Sequence, residues 1–203
     1  AGLNREKLGA QVFGNPAAAD PWMALFAVYA FGFQIYFDFS GYTDIARGCA
    51  RLLGYRFPAN FERPYLSANI SDFWRRWHIS LSFWLRDYLY VPLGGNRRGT
   101  RRTLLNLLIV MGLGGLWHGA AWTFVAWGAL HGGALVAERR ILAARAAAGK
   151  VPGRWSPVIR WAVTFHIVCL GWVFFRAETF GTAFDLITRL VTAPGFGATV
   201  TPL

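Results

Sequence analysis

The sequence predicts an all-α protein, polytopic in a membrane, with interfacial amphipathic helices beside its spans. Three observations lead there. First, 55% of the 203 residues are hydrophobic and only 15% are charged, against roughly 25% charged in an average soluble domain. Second, residues 21–37 and 103–137 carry no formal charge, and 157–175 carry only Arg160. Third, 21 Lys+Arg against 10 Asp+Glu give a net charge of +11, and the cations sit beside the apolar stretches, as they do in loops on one side of a membrane. A mean hydropathy of +0.33 excludes intrinsic disorder, which needs low hydrophobicity. It also argues against an ordinary cytosolic domain. A basic nucleic-acid binder is disfavoured, because the cations do not form a soluble face.

Residues 1–203 read as one membrane-embedded domain. The opening Ala1-Gly2-Leu3-Asn4-Arg5 has no initiator Met and no signal-peptide pattern, so the expectation is a piece of a longer protein. Cys49 and Cys169 are too few for a disulfide framework or a four-thiolate metal site. They read as reduced packing residues.

Residues 1–20 are mixed and polar, with Asn15-Pro16 as a breaker. From Pro21 a helix is expected through Phe37, near the lower limit for crossing a hydrocarbon core of about 30 Å. Pro21 suits its first turn. If it continues, Tyr36, Ser40 and Asp44 form a polar stripe, with Asp38 and Asp44 as partners for arginines such as Arg47 and Arg51. Pro58 and Pro64 make 54–70 a loop. Ser71 then reads as an N-cap with Asp72 in the first turn. Trp74, Trp77, Leu81, Trp84 and Tyr88 follow at helical spacing, predicting one Trp- and Arg-rich interfacial helix. It ends before Pro92, Gly94 and Gly95.

Arg97, Arg98, Arg101 and Arg102 read as a basic cytoplasmic loop. Thr103–Ala137 follows, 35 residues without a charge. A single helix of that length would run about 52 Å, too long for one crossing, while two crossings need about 40 residues plus a turn. A broken or re-entrant helix is expected, with Gly112, Gly114 and Gly115 as the break. Residues 138–156 read as a short helix and linker, Pro157–Phe175 as another span, and 179–192 as an amphipathic surface helix. The tail is rich in Gly, Thr and Pro.

Four histidines are the main candidates for chemistry. No pair shows HxxxH or HExxH spacing, so no metal site is expected. There is no nucleophile elbow and no P-loop. His118, in Gly114-Gly115-Leu116-Trp117-His118-Gly119-Ala120, sits inside the charge-free stretch, where an ionisable residue is a functional hypothesis. A neutral imidazole in a dry site can take a proton from a hydroxyl and later protonate a leaving group. It can equally be a structural histidine bonding a neighbouring helix. His78 reads first as a packing residue on an apolar helix face. Arg75, Arg76 and Arg86 could bind anionic groups or form a solvated edge. His131 and His166 read as structural.

Four blocks carry a resemblance: Gln34 to Asp44, Ser71 to Ser82, Leu85 to Gly99, and Gly114 to Ala120. In this order they resemble the membrane-bound O-acyltransferases, above all the alginate O-acetylation branch, and are similar to the branch that transfers D-alanine to teichoic acids. The resemblance implies a polytopic fold of which this chain is the C-terminal part, in a bacterial inner membrane. It implies that His118 is the catalytic histidine and His78 the second polar position, both lining a tunnel. It implies an acyl thioester donor such as acetyl-CoA, arriving from the cytoplasm, with no bound cofactor. The acceptor would be a hydroxyl of an exopolysaccharide such as alginate, or a periplasmic acetyltransferase partner protein. A transporter or channel fragment is the alternative: an intramembrane histidine beside a broken helix also suits a permeation site.

Overall fold

A computed structural model describes residues 12–16, 19–149, 153 and 156–192. The Gly/Thr/Pro-rich tail and most of the N-terminal polar segment lie outside the described residues. Within them the chain is helical, with no strand. Helix α1 (Pro21–Leu52) starts where Pro21 fixes the first turn and the Asp20 carboxylate accepts from the Trp22 and Met23 N–H groups at 2.8 and 3.4 Å. At about 1.5 Å per residue its 32 residues reach about 48 Å, so it extends well past a 30 Å core. Its first half buries Ala24, Ala27, Val28 and Gly32. Its second half leaves Tyr42, Ile45 and Leu52 exposed.

A proline-bearing loop follows, as expected, with a short 3-10 turn at Pro64–Leu66. Tyr65 pins this loop to two helices. Its hydroxyl donates to the Gly32 carbonyl of α1 and accepts from the Trp172 indole at 3.1 Å. Helices α2 (Ile70–Arg76) and α3 (Ile79–Leu85) come next, and α3 runs on into a π-helical turn, Arg86–Tyr90. The N-cap of α2 is Asn69, whose side chain accepts from the Asp72 N–H at 2.7 Å. Ser71, expected there, lies one step inside the helix, and its hydroxyl donates to Glu138 at 2.8 Å. The single interfacial helix expected over this region is therefore two, broken at Trp77-His78.

Helix α4 (Gly99–His118) and helix α5 (Trp122–Ala147) divide the charge-free stretch. The break falls at 119–121, after His118, and not at Gly112–Gly115. Of those glycines, Gly115 serves another purpose. A Cβ on Gly115 would overlap the Phe124 carbonyl, and one on Gly128 would overlap the Met111 carbonyl. The two backbones thus run antiparallel in direct contact, as small residues allow in membrane helix pairs. Two further expectations change. Arg101 and Arg102 belong to the first turn of α4, leaving Arg97 and Arg98 in the preceding turn. The Ala/Arg segment to Ala147 is the end of α5, not a separate helix.

Helix α6 (Ser156–Arg176) covers the apolar segment expected over Pro157–Phe175, and α7 (Phe180–Val191) is capped by Thr179, whose hydroxyl accepts from the Thr182 N–H at 3.1 Å. The amphipathic α7 buries Ala183 and Leu186 against α1 and α6. By length and apolar composition, α1 and α6 are the two described helices that could cross a membrane. Cys169 is buried and Cys49 exposed, both as free thiols, so only Cys169 is a packing residue.

The centre of the molecule is aromatic. Phe73, Trp77, Trp127 and Trp172 are buried together with Ile70 and Val168. They come from α2, its C-terminal junction, α5 and α6. Trp77 packs on Trp172 with ring centroids 5.0 Å apart, and Phe73 stacks on Trp77 at 5.6 Å. This cluster fixes the spacing of the helices around the site.

Candidate active site

A cavity of about 190 Å³ opens beside that cluster. Five parts of the chain line it. Helix α1 supplies Ile35 and Phe39, the α2–α3 junction Trp77 and His78, and the end of α4 Trp117 and His118. Trp127 comes from α5, and Trp172 and Phe175 from α6. No lining residue carries a formal charge. The two histidines, 40 positions apart in sequence, are therefore the groups here that can move a proton.

His118 is the last residue of α4. Its ring stands edge-on to Trp127 at 5.0 Å and to Phe175 at 5.1 Å. Among the described residues it makes no hydrogen bond to a neighbouring helix, so its nitrogens stay available to a bound molecule. The α4–α5 hairpin sets its place: the glycine contacts fix the two helices, and the chain turns immediately after it.

His78 is held by a different device. Its backbone is in the left-handed region, φ 43°, where a non-glycine residue is uncommon. Such conformations cost about 1–3 kcal/mol and persist only where the surroundings enforce them. The enforcing group here is Asn60, in the preceding loop. Its carbonyl accepts from the Ile79 N–H at 3.0 Å. Its side-chain oxygen accepts from the Ser80 N–H at 3.1 Å and the Ser80 hydroxyl at 3.0 Å. Asn60 thus caps α3 from outside and turns the chain at His78. The imidazole stands edge-on to Phe39 at 4.8 Å, and its Nδ1 is buried with no protein partner. Burial, and then the nearby His118, push its pKa down to about 4, so it is neutral near pH 7.

His131 and His166 lie away from this cavity. His131 is fully buried against Phe73, Trp74 and Trp127. The His166 ring bonds the Tyr29 hydroxyl at 2.9 Å and the Ala162 carbonyl at 2.7 Å. Of the basic candidates, Arg76 pairs with Asp72 at 3.0 Å and Arg86 with Asp87 at 2.7 Å, while Arg75 is exposed. None of the three lines the cavity. Asp44 pairs with Arg47 at 2.9 Å. Asp38 is exposed and makes no ion pair among the described residues.

Sequence reasoning missed the aromatic walls. A partial signal existed in Ile35 and Phe39, one turn apart on α1, and in Trp172 and Phe175 on α6. Nothing local says that these faces meet.

Comparison with known proteins places this architecture. Residues 19–177 match the membrane-bound O-acyltransferase family. The chain is 52% identical over 169 residues to a probable alginate O-acetylase of Pseudomonas putida, covering 83% of this chain and 33% of the relative. It is 45% identical over 166 residues to a peptidoglycan O-acetyltransferase of Helicobacter pylori, covering 82% and 31%. It is 32% identical over 165 residues to a teichoic acid D-alanyltransferase of Bacillus subtilis, covering 77% and 42%. The chain thus spans about a third of the length of the O-acetylating relatives. On the match over 159 residues and these identities, the chain belongs to the membrane-bound O-acyltransferase family.

Proposed function

We propose that the full-length chain, multi-pass in a bacterial inner membrane, moves an acetyl group from a cytoplasmic thioester to a hydroxyl. The donor is acetyl-CoA or another acyl thioester. The acceptor is an exopolysaccharide such as alginate, or a partner protein that passes the group on. The observation that carries this reading is the pairing of His118 and His78 in one uncharged, aromatic-walled cavity.

The chemistry follows from those two side chains. The acceptor O–H gives its proton to a nitrogen of neutral His118 as its oxygen attacks the thioester carbonyl carbon. The C–O bond forms, and negative charge develops on the carbonyl oxygen. A donor hydrogen bond from His78, or its contact with donor or acceptor, stabilises or orients that state. The C–S bond then breaks, and the sulfur leaves with the proton held by His118. Ester and free thiol result, and the histidine returns to its starting form. Aromatic walls closed over by substrate would limit hydrolysis of the thioester and strengthen each polar contact inside.

A second reading keeps the mechanism and changes the substrates. The similarity to D-alanyltransferases supports D-alanyl transfer to a teichoic acid. Both are tested by following label from acetyl-CoA and from a D-alanyl thioester, in membranes carrying the full-length chain, into polymer and protein fractions. Acetyl label in polymer or a partner protein supports the first reading, and D-alanyl label alone the second. Transmembrane solute flux without transfer of either label would overturn both.

A further inference from the structure

On the other side of the aromatic cluster, a groove of about 430 Å³ lies between α5, α6 and residues 68–70. Its walls are apolar, with Ala137, Ile141, Leu142, Ile159 and Val163 along its length. Ile141, Ile159 and Val163 are all more than half exposed. At one end, where α5 finishes and α6 begins, Arg145, Arg160 and Ser156 line the mouth. Neither guanidinium has a carboxylate partner among the described residues. The one acid lining the groove, Glu138, is seven residues deeper along α5, about 10 Å from Arg145. It is already engaged by the Ser71 N–H at 3.2 Å and the Ser71 hydroxyl at 2.8 Å.

The groove therefore has an order: two unpaired cations at the mouth, then an apolar trough of about 16 Å from Arg145 to Ala134. That order complements an anionic head joined to a hydrocarbon chain. Basic pockets between membrane helices bind anionic lipid head groups, and guanidinium matches phosphate through paired hydrogen bonds. The N-terminal end of the 21-residue α6 adds its positive dipole end at the same place.

We propose that this groove binds one anionic phospholipid of the surrounding membrane, its phosphate between Arg145 and Arg160 and one acyl chain along α5 and α6. A zwitterionic lipid offers the same phosphate but brings its own cation, which no free acid among the described residues at the mouth would meet. The site shares no residue with the histidine cavity, so it stands or falls independently of the acyl-transfer reading.

The test uses the full-length chain, delipidated in detergent and titrated with phosphatidylglycerol, phosphatidylcholine or inorganic phosphate, with melting temperature as readout. Phosphatidylglycerol is expected to raise the Tm, and the other two to leave it unchanged. The double variant Arg145→Ala with Arg160→Ala is expected to lose the shift. Ala137→Phe, which fills the trough and keeps both arginines, is expected to lose it as well. That variant carries the test if the double variant does not fold. Equal shifts from both lipids, a shift with phosphate alone, or a full shift in the variants would each overturn the proposal. So would a density map showing another helix of the same chain seated in the groove.

Discussion

Replacing Asn60 with alanine isolates the device that places His78. The substitution removes the two bonds from Ser80, at 3.1 and 3.0 Å, and keeps the backbone bond from Ile79. At about 0.5–1.5 kcal/mol net per bond, the junction loses about 1–3 kcal/mol. That is the same size as the cost of about 1–3 kcal/mol for holding a non-glycine residue left-handed. The balance that keeps His78 at φ 43° therefore moves close to even. An even balance leaves about half of the molecules with His78 in place, so acyl transfer is expected to fall about twofold, with protein level and insertion nearly normal. The assay is acetyl transfer at saturating donor, alongside a melting curve. Asn60→Asp keeps the acceptor and places a negative charge at the start of α3, which favours the cap. It should restore most of the activity. Full activity in the alanine variant, or an aspartate variant as poor as alanine, would refute the reasoning.

Three further outcomes follow. Gly128→Leu drives a side chain into the Met111 carbonyl, so α4 and α5 must separate. Expression on a membrane blot should drop sharply, and any inserted protein should lack transfer activity. Trp127→Ala removes a buried wall of the cavity. By the cost of deleting a buried tryptophan, about 3–5 kcal/mol, it should lower the denaturant midpoint, whereas Trp127→Phe should cost less than half as much. The third concerns pH. The folded-state pKa of His78 lies below its ordinary value, at about 4, so the unfolded chain binds its proton first. The stability from neutral His78 is complete above about pH 6.5 and is lost as pH falls from there toward 4. His78→Gln should lessen, without removing, the slope of a melting-temperature profile between pH 4 and 7, because burial also keeps His118 and His131 neutral there.

Much of the fold was legible because it rests on composition along single segments. The helices α1 and α6 followed from uncharged runs, and the amphipathic α7 from its periodicity. His118 stood out as an ionisable group inside an uncharged stretch. What was misread depended on partners distant in sequence. Gly112, Gly114 and Gly115 suggested a break, because glycine weakens an isolated helix. Across a helix pair, Gly115 and its partner Gly128 instead permit close approach. The turn at His78 was invisible because the residue that enforces it, Asn60, lies 18 positions earlier in a loop. Without that cap the Trp and Leu spacing does read as one continuous helix. Ser71 looked like an N-cap, but Asn69 reaches the Asp72 N–H and Ser71 turns to Glu138 on α5. The aromatic walls needed five segments to converge, which no local pattern encodes.

The central claim is that His118 takes the proton of the acceptor hydroxyl. The most direct test is acetyl transfer by the full-length chain in membranes, wild type against His118→Ala, with insertion matched by blot and melting curve. Removing a general base typically costs 10²–10⁴-fold, so the variant is predicted to fall by about that factor while remaining normally inserted. A folded His118→Ala protein that keeps nearly full transfer would contradict the assignment.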